Sequence, residues 1–225
     1  MTRAVLFDTE TTGLDPLHGD RVIEIAAIEL HNDLPTSKTF HCLIDPERDI
    51  PADASRIHGI TSADVAGKPT FAAIADDLLE FFGEDPLIAH NAAFDFGFLD
   101  AELGRIGRPR LDRARMLDTL ALAKTRFPGM PNSLDALCRR FEIDLSARTT
   151  HNALLDCKLL AEVYVELTGG RQRGFDLNAD SALALVEYQQ IGERAQHLMP
   201  VSEAEAAAHA EFVATIKNPV WAVGH

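Results

Sequence analysis

The stretch Val5-Leu6-Phe7-Asp8-Thr9-Glu10-Thr11-Thr12-Gly13-Leu14 decides how this chain folds. Nothing polar interrupts Ala4 to Phe7, so they read as a strand buried on both faces. Two acids follow at once. Side chains alternate along a strand, which puts Asp8 and Glu10 on one face, about 7 Å apart along the backbone. Two carboxylates so placed repel each other and resist burial. A hard divalent cation answers both problems. Two solvated acids in a turn are the plain alternative.

Residues 22–30 alternate loosely and read as a second strand, 38–44 as a third, and 46–51 as a loop. Phe71, Ile74, Leu78, Leu79 and Phe82 have helical spacing, which predicts a helix over 70–82 stopped by Gly83 and Pro86. Leu87-Ile88-Ala89 is a short strand leading into His90-Asn91, and a helix over 93–106 ends at Gly107 and Pro109. Residues 116–120 read as a short strand or turn, and 119–126 and 133–140 as helices. The last helix of the core is expected over 152–167, before Gly169-Gly170. Strands first, then strands mixed with helices, imply an α/β layer around a small mixed sheet. Past Gly170, residues 169–180 are crowded with Gly, Arg, Gln, Asp and Asn, and amphipathic stretches follow at 181–198 and 203–217. The expected division is a catalytic domain at 1–170 and an adaptable tail at 171–225.

A chain of 225 residues with 46% hydrophobic content suits one domain with a full core. No stretch approaches the ~18 apolar residues of a membrane span. The first strand starts within a few residues of Met1, so no secretory leader is expected. Cys42, Cys138 and Cys157 are odd in number and lack a CxxC spacing, which reads as reduced thiols in a cytoplasmic protein without a zinc site. The net charge of −14, from 21 basic and 35 acidic residues, disfavours strong binding to long duplex, because that binding depends on phosphate neutralisation. A short single-stranded end held by metals and shaped contacts is compatible with it, and a tethering partner would raise the effective concentration.

At helical spacing Asp95 shares a stripe with Leu99, Leu103 and Ile106, and Asp156 shares one with Leu160, Val163 and Leu167. A carboxylate on an apolar stripe needs a partner. With Asp8 and Glu10 these make four acids with no obvious basic mate close in sequence, and a shared metal pair explains them better than four separate salt bridges. His151 lies five residues before Asp156, off its helical face, and is expected in the loop leading into the helix, with Thr149 or Thr150 as its cap. A histidine there is suited to taking a proton from water.

Three blocks, Phe7-Asp8-Thr9-Glu10-Thr11-Thr12-Gly13, His90-Asn91-Ala92-Ala93-Phe94-Asp95 and His151-Asn152-Ala153-Leu154-Leu155-Asp156, resemble in order and spacing the three motifs of the DEDDh family of 3′–5′ exonucleases. Arg56-Ile57-His58-Gly59-Ile60-Thr61, Phe127-Pro128-Gly129, Asn132 to Cys138 and Ala161-Glu162-Val163-Tyr164 look like that family's proofreading branch, which serves bacterial replicative DNA polymerases. The resemblance covers about residues 4–170. It implies an α/β, ribonuclease-H-like fold with a five-stranded mixed sheet flanked by helices, plus a C-terminal tail.

The resemblance also implies a chemistry: removal of mispaired nucleotides from a single-stranded 3′ end of DNA, released as nucleoside 5′-monophosphates. Asp8, Glu10 and Asp156 would hold one Mg²⁺ or Mn²⁺. Asp8 would bridge to a second, whose waters Asp95 would hold. His151 would be the general base. Thr11 to Leu14 would meet the terminal nucleotide through backbone groups, and His58 and Phe94 through side chains, Phe94 being equally readable as a core aromatic. Glu10, Thr11, Asp53, His58 and Asp156 are the expected substrate contacts. Asp53 stands where the best-known relatives often carry a longer Glu.

In the tail, Gln172 to Leu177 falls where relatives carry a sliding-clamp peptide. The stretch from Met199 to Trp221, with Glu203, Ala206, Ala207, Ala208 and His209, resembles the end that binds the DNA polymerase III alpha subunit. An exoribonuclease of the same family, or a non-catalytic subunit bridging clamp and polymerase, are the competing readings. Loss of a carboxylate or of His151 would favour the bridging subunit, and none is lost.

Overall fold

The computed structural model describes residues 2–146, 148, 150–169 and 201–217. The chain divides into a unit at Met1–Phe175 and another at Asp176–His225. In the first, β1 (Arg3–Thr11), β2 (Val22–His31), β3 (Leu34–Leu43), β4 (Leu87–Ala89) and β5 (Met116–Asp118) form one sheet in the order β3-β2-β1-β4-β5. β1 pairs antiparallel with β2 and parallel with β4, so the sheet is mixed, as expected. Its helices are α1 (Ala52–His58), α2 (Ser62–Val65), α3 (Phe71–Phe82), α4 (Ala92–Arg105), α5 (Thr119–Arg126), α6 (Leu134–Arg140) and α7 (Ala153–Leu167).

The uninterrupted apolar run predicted a doubly covered strand, and β1 is one. Val5 and Phe7 pack with Phe71, Phe82 and Phe96 of α3 and α4. Leu6 packs on the opposite face with Cys157, Leu160 and Tyr164 of α7. Phe7 is fully buried, with ring centroids 5.3 Å from Phe82 and 5.9 Å from Phe96. Truncating it to Ala would cost roughly 3–5 kcal/mol. Alternation along β1 then turns Asp8 and Glu10 toward α7, on the face of Leu6.

Two local differences from the sequence reading have physical causes. β3 begins at Leu34, four residues before the expected start. Asn32 (φ 51°) and Asp33 (φ 67°) make a two-residue hairpin turn with both φ angles positive. The start of β3 was hard to see because it is an edge strand, mostly exposed, and Pro35 is tolerated there. The second difference is α1 and α2, which follow the expected loop and carry no helical periodicity. In α1 only His58 is buried.

The second unit contains α8 (Glu203–Thr215), opened by a capping box between Ser202 and Glu205. It falls within the expected 203–217 stretch. The expected elements at 172–177 and 181–198, and Trp221, lie outside the described residues.

Candidate active site

Three element ends deliver the acids. β1 carries Asp8 and Glu10 at its carboxyl end, and its pairing with β2 shifts register between Glu10 and Thr11. Such irregularities re-aim side chains. α4 starts abruptly after β4 because Asn91 takes a left-handed conformation (φ 66°), which asparagine tolerates. Its backbone N–H donates to Asp118 Oδ1 at 2.9 Å. Asp95 therefore falls in the first turn of α4, and its Oδ1 accepts from Thr9 Oγ1 at 2.7 Å. α7 is capped by Asn152, whose Oδ1 accepts from Leu155 N at 3.0 Å, and Asp156 sits in its first turn. Helix N-termini favour negative charge, so both placements are electrostatically sensible.

The acids are crowded into low-dielectric surroundings. Burial pushes the Asp8 carboxyl well above its ordinary range, and Asp95, Glu10, Asp156 and Glu24 add to the push. Burial likewise raises Glu10 to about 8, opposed by His151 and reinforced by Asp156, Glu24 and Asp95. Asp95 is raised to about 7 by burial, against the pull of the Thr9 hydroxyl. Glu10, His151 and Asp156 offer ligand atoms within 4.8 Å of one another, a spacing that suits a metal ion. Raised carboxyls that lack enough positive charge are what a hard cation would satisfy, so these residues fit a divalent metal.

One expectation is corrected. Asp156 does have a basic mate, Arg148, eight residues upstream. The guanidinium forks onto it, Nε to Oδ1 at 2.6 Å and Nη2 to Oδ2 at 2.7 Å, while Nη1 reaches Asp135 at 2.6 Å. Burial alone would raise Asp156, but the hydrogen bonds from Arg148 and His151 outweigh it and hold the carboxyl below its usual range. His151 lies before α7 as predicted, half-exposed, with its backbone N–H on the Ile57 carbonyl at 3.1 Å. Its Nδ1 is 2.8 Å from Arg148 Nη2 and 3.3 Å from Asp156 Oδ2. The Asp156 contact prevails, and the His151 pKa is raised.

Beside the acids opens a cleft of about 480 Å³, lined among others by Glu10, Thr11, Gly13, Asp53, His58 and Phe94. All the expected substrate contacts except Asp156 line it. His58 is buried, which lowers its pKa, and its Nδ1 accepts from the Ile60 N–H at 3.0 Å. The proton of the neutral ring therefore sits on Nε2, a buried atom without a well-formed hydrogen bond, while a weaker one to the Thr11 backbone pulls the pKa back up. Asp53 is exposed, and its carboxylate meets Arg56 one turn on. Phe94 lines the cleft and packs with a tilted ring against Phe98, centroids 4.9 Å apart.

The exonuclease family model matches residues 5–164. The chain belongs to the exonuclease family. Within it, DNA polymerase III subunit epsilon of Rickettsia felis is 47% identical over 221 residues, covering 95% of this chain and 96% of the relative. The same-named protein of Escherichia coli K12 is 40% identical over 221 residues, covering 93% and 91%. Exonuclease X, solved in complex with 5′ overhanging duplex DNA, superposes with a TM-score of 0.59 at 28% identity, covering 75% of this chain and 92% of that one. Exonuclease I of E. coli, solved with single-stranded DNA, reaches a TM-score of 0.65 at 20% identity and shares the fold. The expected ribonuclease-H-like fold and 3′–5′ exonuclease class are thereby borne out, and use of divalent metals is typical of the family.

Three residues that touch the candidate site residues or the first turn of α7 escaped the sequence reading: Thr9, Arg148 and Glu24. Arg148 lies in irregular chain, where no periodicity ties it to Asp156. Glu24 did carry a signal, as a lone acid inside the apolar run 22–28.

Proposed function

We propose that this chain removes mispaired nucleotides from single-stranded 3′ ends of DNA as the proofreading subunit of a bacterial replicative polymerase. The observation that carries the reading is the meeting of Glu10, His151 and Asp156, with Asp8 and Asp95 near enough to interact electrostatically with the same carboxyls, beside a cleft lined by Thr11 and the buried His58. Asp8, Glu10 and Asp156 would hold one Mg²⁺ or Mn²⁺, and Asp8 with Asp95 a second. Bound there, the cations would polarise the scissile phosphate and acidify the attacking water. His151 takes the proton from that water. The new P–O bond forms as the bond to the 3′-oxygen breaks, and a nucleoside 5′-monophosphate leaves. Thr11, Asp53 and His58 orient the terminal nucleotide, with His58 Nε2 donating to it.

The tail would carry the partner contacts. None of α8 is buried, and Phe212 is exposed, which supports a helix that docks on the polymerase alpha subunit. Residues 172–177 would meet the sliding clamp. No helix among the described residues is long and apolar enough to cross a membrane.

The test is release of single nucleotides from 3′-labelled single-stranded DNA, with Mg²⁺ and with EDTA, for the native chain and Asp8→Ala. Metal-dependent release that falls by at least about a hundredfold in the variant is the expected result. Release from matched RNA but not from DNA would move the chain to RNA processing, and release from neither would leave a bridging subunit.

A further inference from the structure

Glu24, the third residue of β2, is buried to 1% exposure. It stands directly opposite Glu10 across the antiparallel pair. Two carboxyl groups so placed gain nothing from facing each other across the strands. The pairing with Glu10 therefore does not account for an acid at this position.

What Glu24 touches does. Its Oε1 lies 2.7 Å from His41 Nε2 and accepts from Asn152 Nδ2 at 3.1 Å, while Oε2 accepts from the Ala153 N–H at 3.1 Å. One carboxylate thus ties β2 and β3 to the first turn of α7. A negative charge at that helix end is favoured twice, by the N–H it accepts from and by the helix dipole. Asn152 caps the helix, His151 immediately precedes it, and Asp156 follows within the first turn. Glu24 therefore fixes where α7 begins against the sheet, and with it how close His151 and Asp156 come to Glu10. Glu24 is not among the residues whose ligand atoms converge with Glu10, His151 and Asp156, so it acts through Asn152 and Ala153.

We propose that Glu24 is a positioning residue for the exonuclease reaction, setting the His151–Asp156 arm against the β1 carboxylates. The inference rests on the roles proposed above for those groups.

The test uses the full chain and three variants. Glu24→Gln keeps the side chain's shape. Asn152→Asp keeps the helix cap but turns the Nδ2 donor into an acceptor facing Glu24. The double variant restores a donor–acceptor pair in the reverse sense. Measured are kcat and KM on single-stranded DNA, Mn²⁺ affinity by electron paramagnetic resonance without DNA, and Tm. Each single variant should lower kcat about tenfold to a hundredfold and weaken Mn²⁺ binding, with KM little changed; Tm should stay close to native in Glu24→Gln and fall in Asn152→Asp, where two carboxylates meet. The double variant should recover most of both. Native kcat and Mn²⁺ affinity in a folded Glu24→Gln chain would overturn the proposal. So would a kcat loss that merely matches the unfolded fraction, or no recovery in the double variant. If the native chain releases no nucleotide, the functional reading fails, and the Mn²⁺ measurement still decides the role of Glu24.

Discussion

Arg148 lays its guanidinium across both oxygens of Asp156, at 2.6 and 2.7 Å. The side chains are 9% and 5% exposed, so this is a buried, bidentate pair. Asp156 is also one of the three residues that would hold a metal with Glu10 and His151. Arg148 thus supplies the positive charge that a bound cation would otherwise bring to Asp156.

Arg148→Gln should therefore separate two quantities. Removing one partner of a buried pair costs about 3–5 kcal/mol, so Tm in EDTA should fall. Mn²⁺ affinity should rise, because the competing cation is gone, and Mn²⁺ should restore most of the lost Tm. Calorimetric titration and thermal melts check both. Weaker Mn²⁺ binding would mean that Arg148 builds the site and does not compete for it.

The stability of the metal-free chain should fall as pH rises. Glu10 and Asp95 titrate near 8 and 7 when folded, against ordinary values of 4.5 and 3.8. Between those limits the folded state holds protons that the unfolded chain has released. The linkage sign then makes each unit of rising pH destabilising, over a window of about pH 4 to 8. Tm in EDTA should decline across that window, and saturating Mn²⁺ should flatten the decline. A rising Tm in EDTA would contradict the burial of these acids.

As the proposed general base, His151 should give a pH dependence of the opposite sense in rate. A general base must be neutral, so kcat should climb as the ring deprotonates. In the metal-free chain Asp156 raises the ring's pKa, so its NMR titration should lie above the ordinary histidine value of 6.5. His151→Ala should lose about a hundredfold or more in kcat and with it the rising limb. A variant that slows the reaction but keeps the limb would assign the titration to another group.

The parts of this site that were legible in the sequence share a cause. Asp8 and Glu10 close an apolar strand, and Asp95 and Asp156 interrupt helical stripes, so each violates a local pattern that burial imposes. Glu24 violates the same pattern in β2, yet its purpose depends on Asn152 and Ala153, more than a hundred residues away. Arg148 violates nothing locally: it sits in irregular chain, where its pairing exists only in three dimensions. α1 was invisible for the same reason, since a helix that buries little beyond His58 imposes no periodicity.

Gly13 shows how closely the mouth of the cleft is built. A Cβ there would lie 2.3 Å from Asp20 Oδ2 and 2.7 Å from Oδ1. Asp20 cannot simply step aside. It accepts from the Asp15 N–H at 3.0 Å and from Thr12 Oγ1 at 3.3 Å, and Arg48 Nη1 pairs with it at 3.0 Å. Gly13→Ala must therefore push the Thr11–Gly13 segment and Asp20 apart. Overpacking of this kind costs about 1–3 kcal/mol. Because the displaced segment lines the cleft and not the carboxylate cluster, KM for single-stranded DNA should rise several-fold while kcat changes less. Adding Asp20→Ala should return part of the lost affinity by making room for the methyl group. If Gly13→Ala lowers kcat and leaves KM native, the Thr11–Gly13 segment serves the metal site and not the nucleotide.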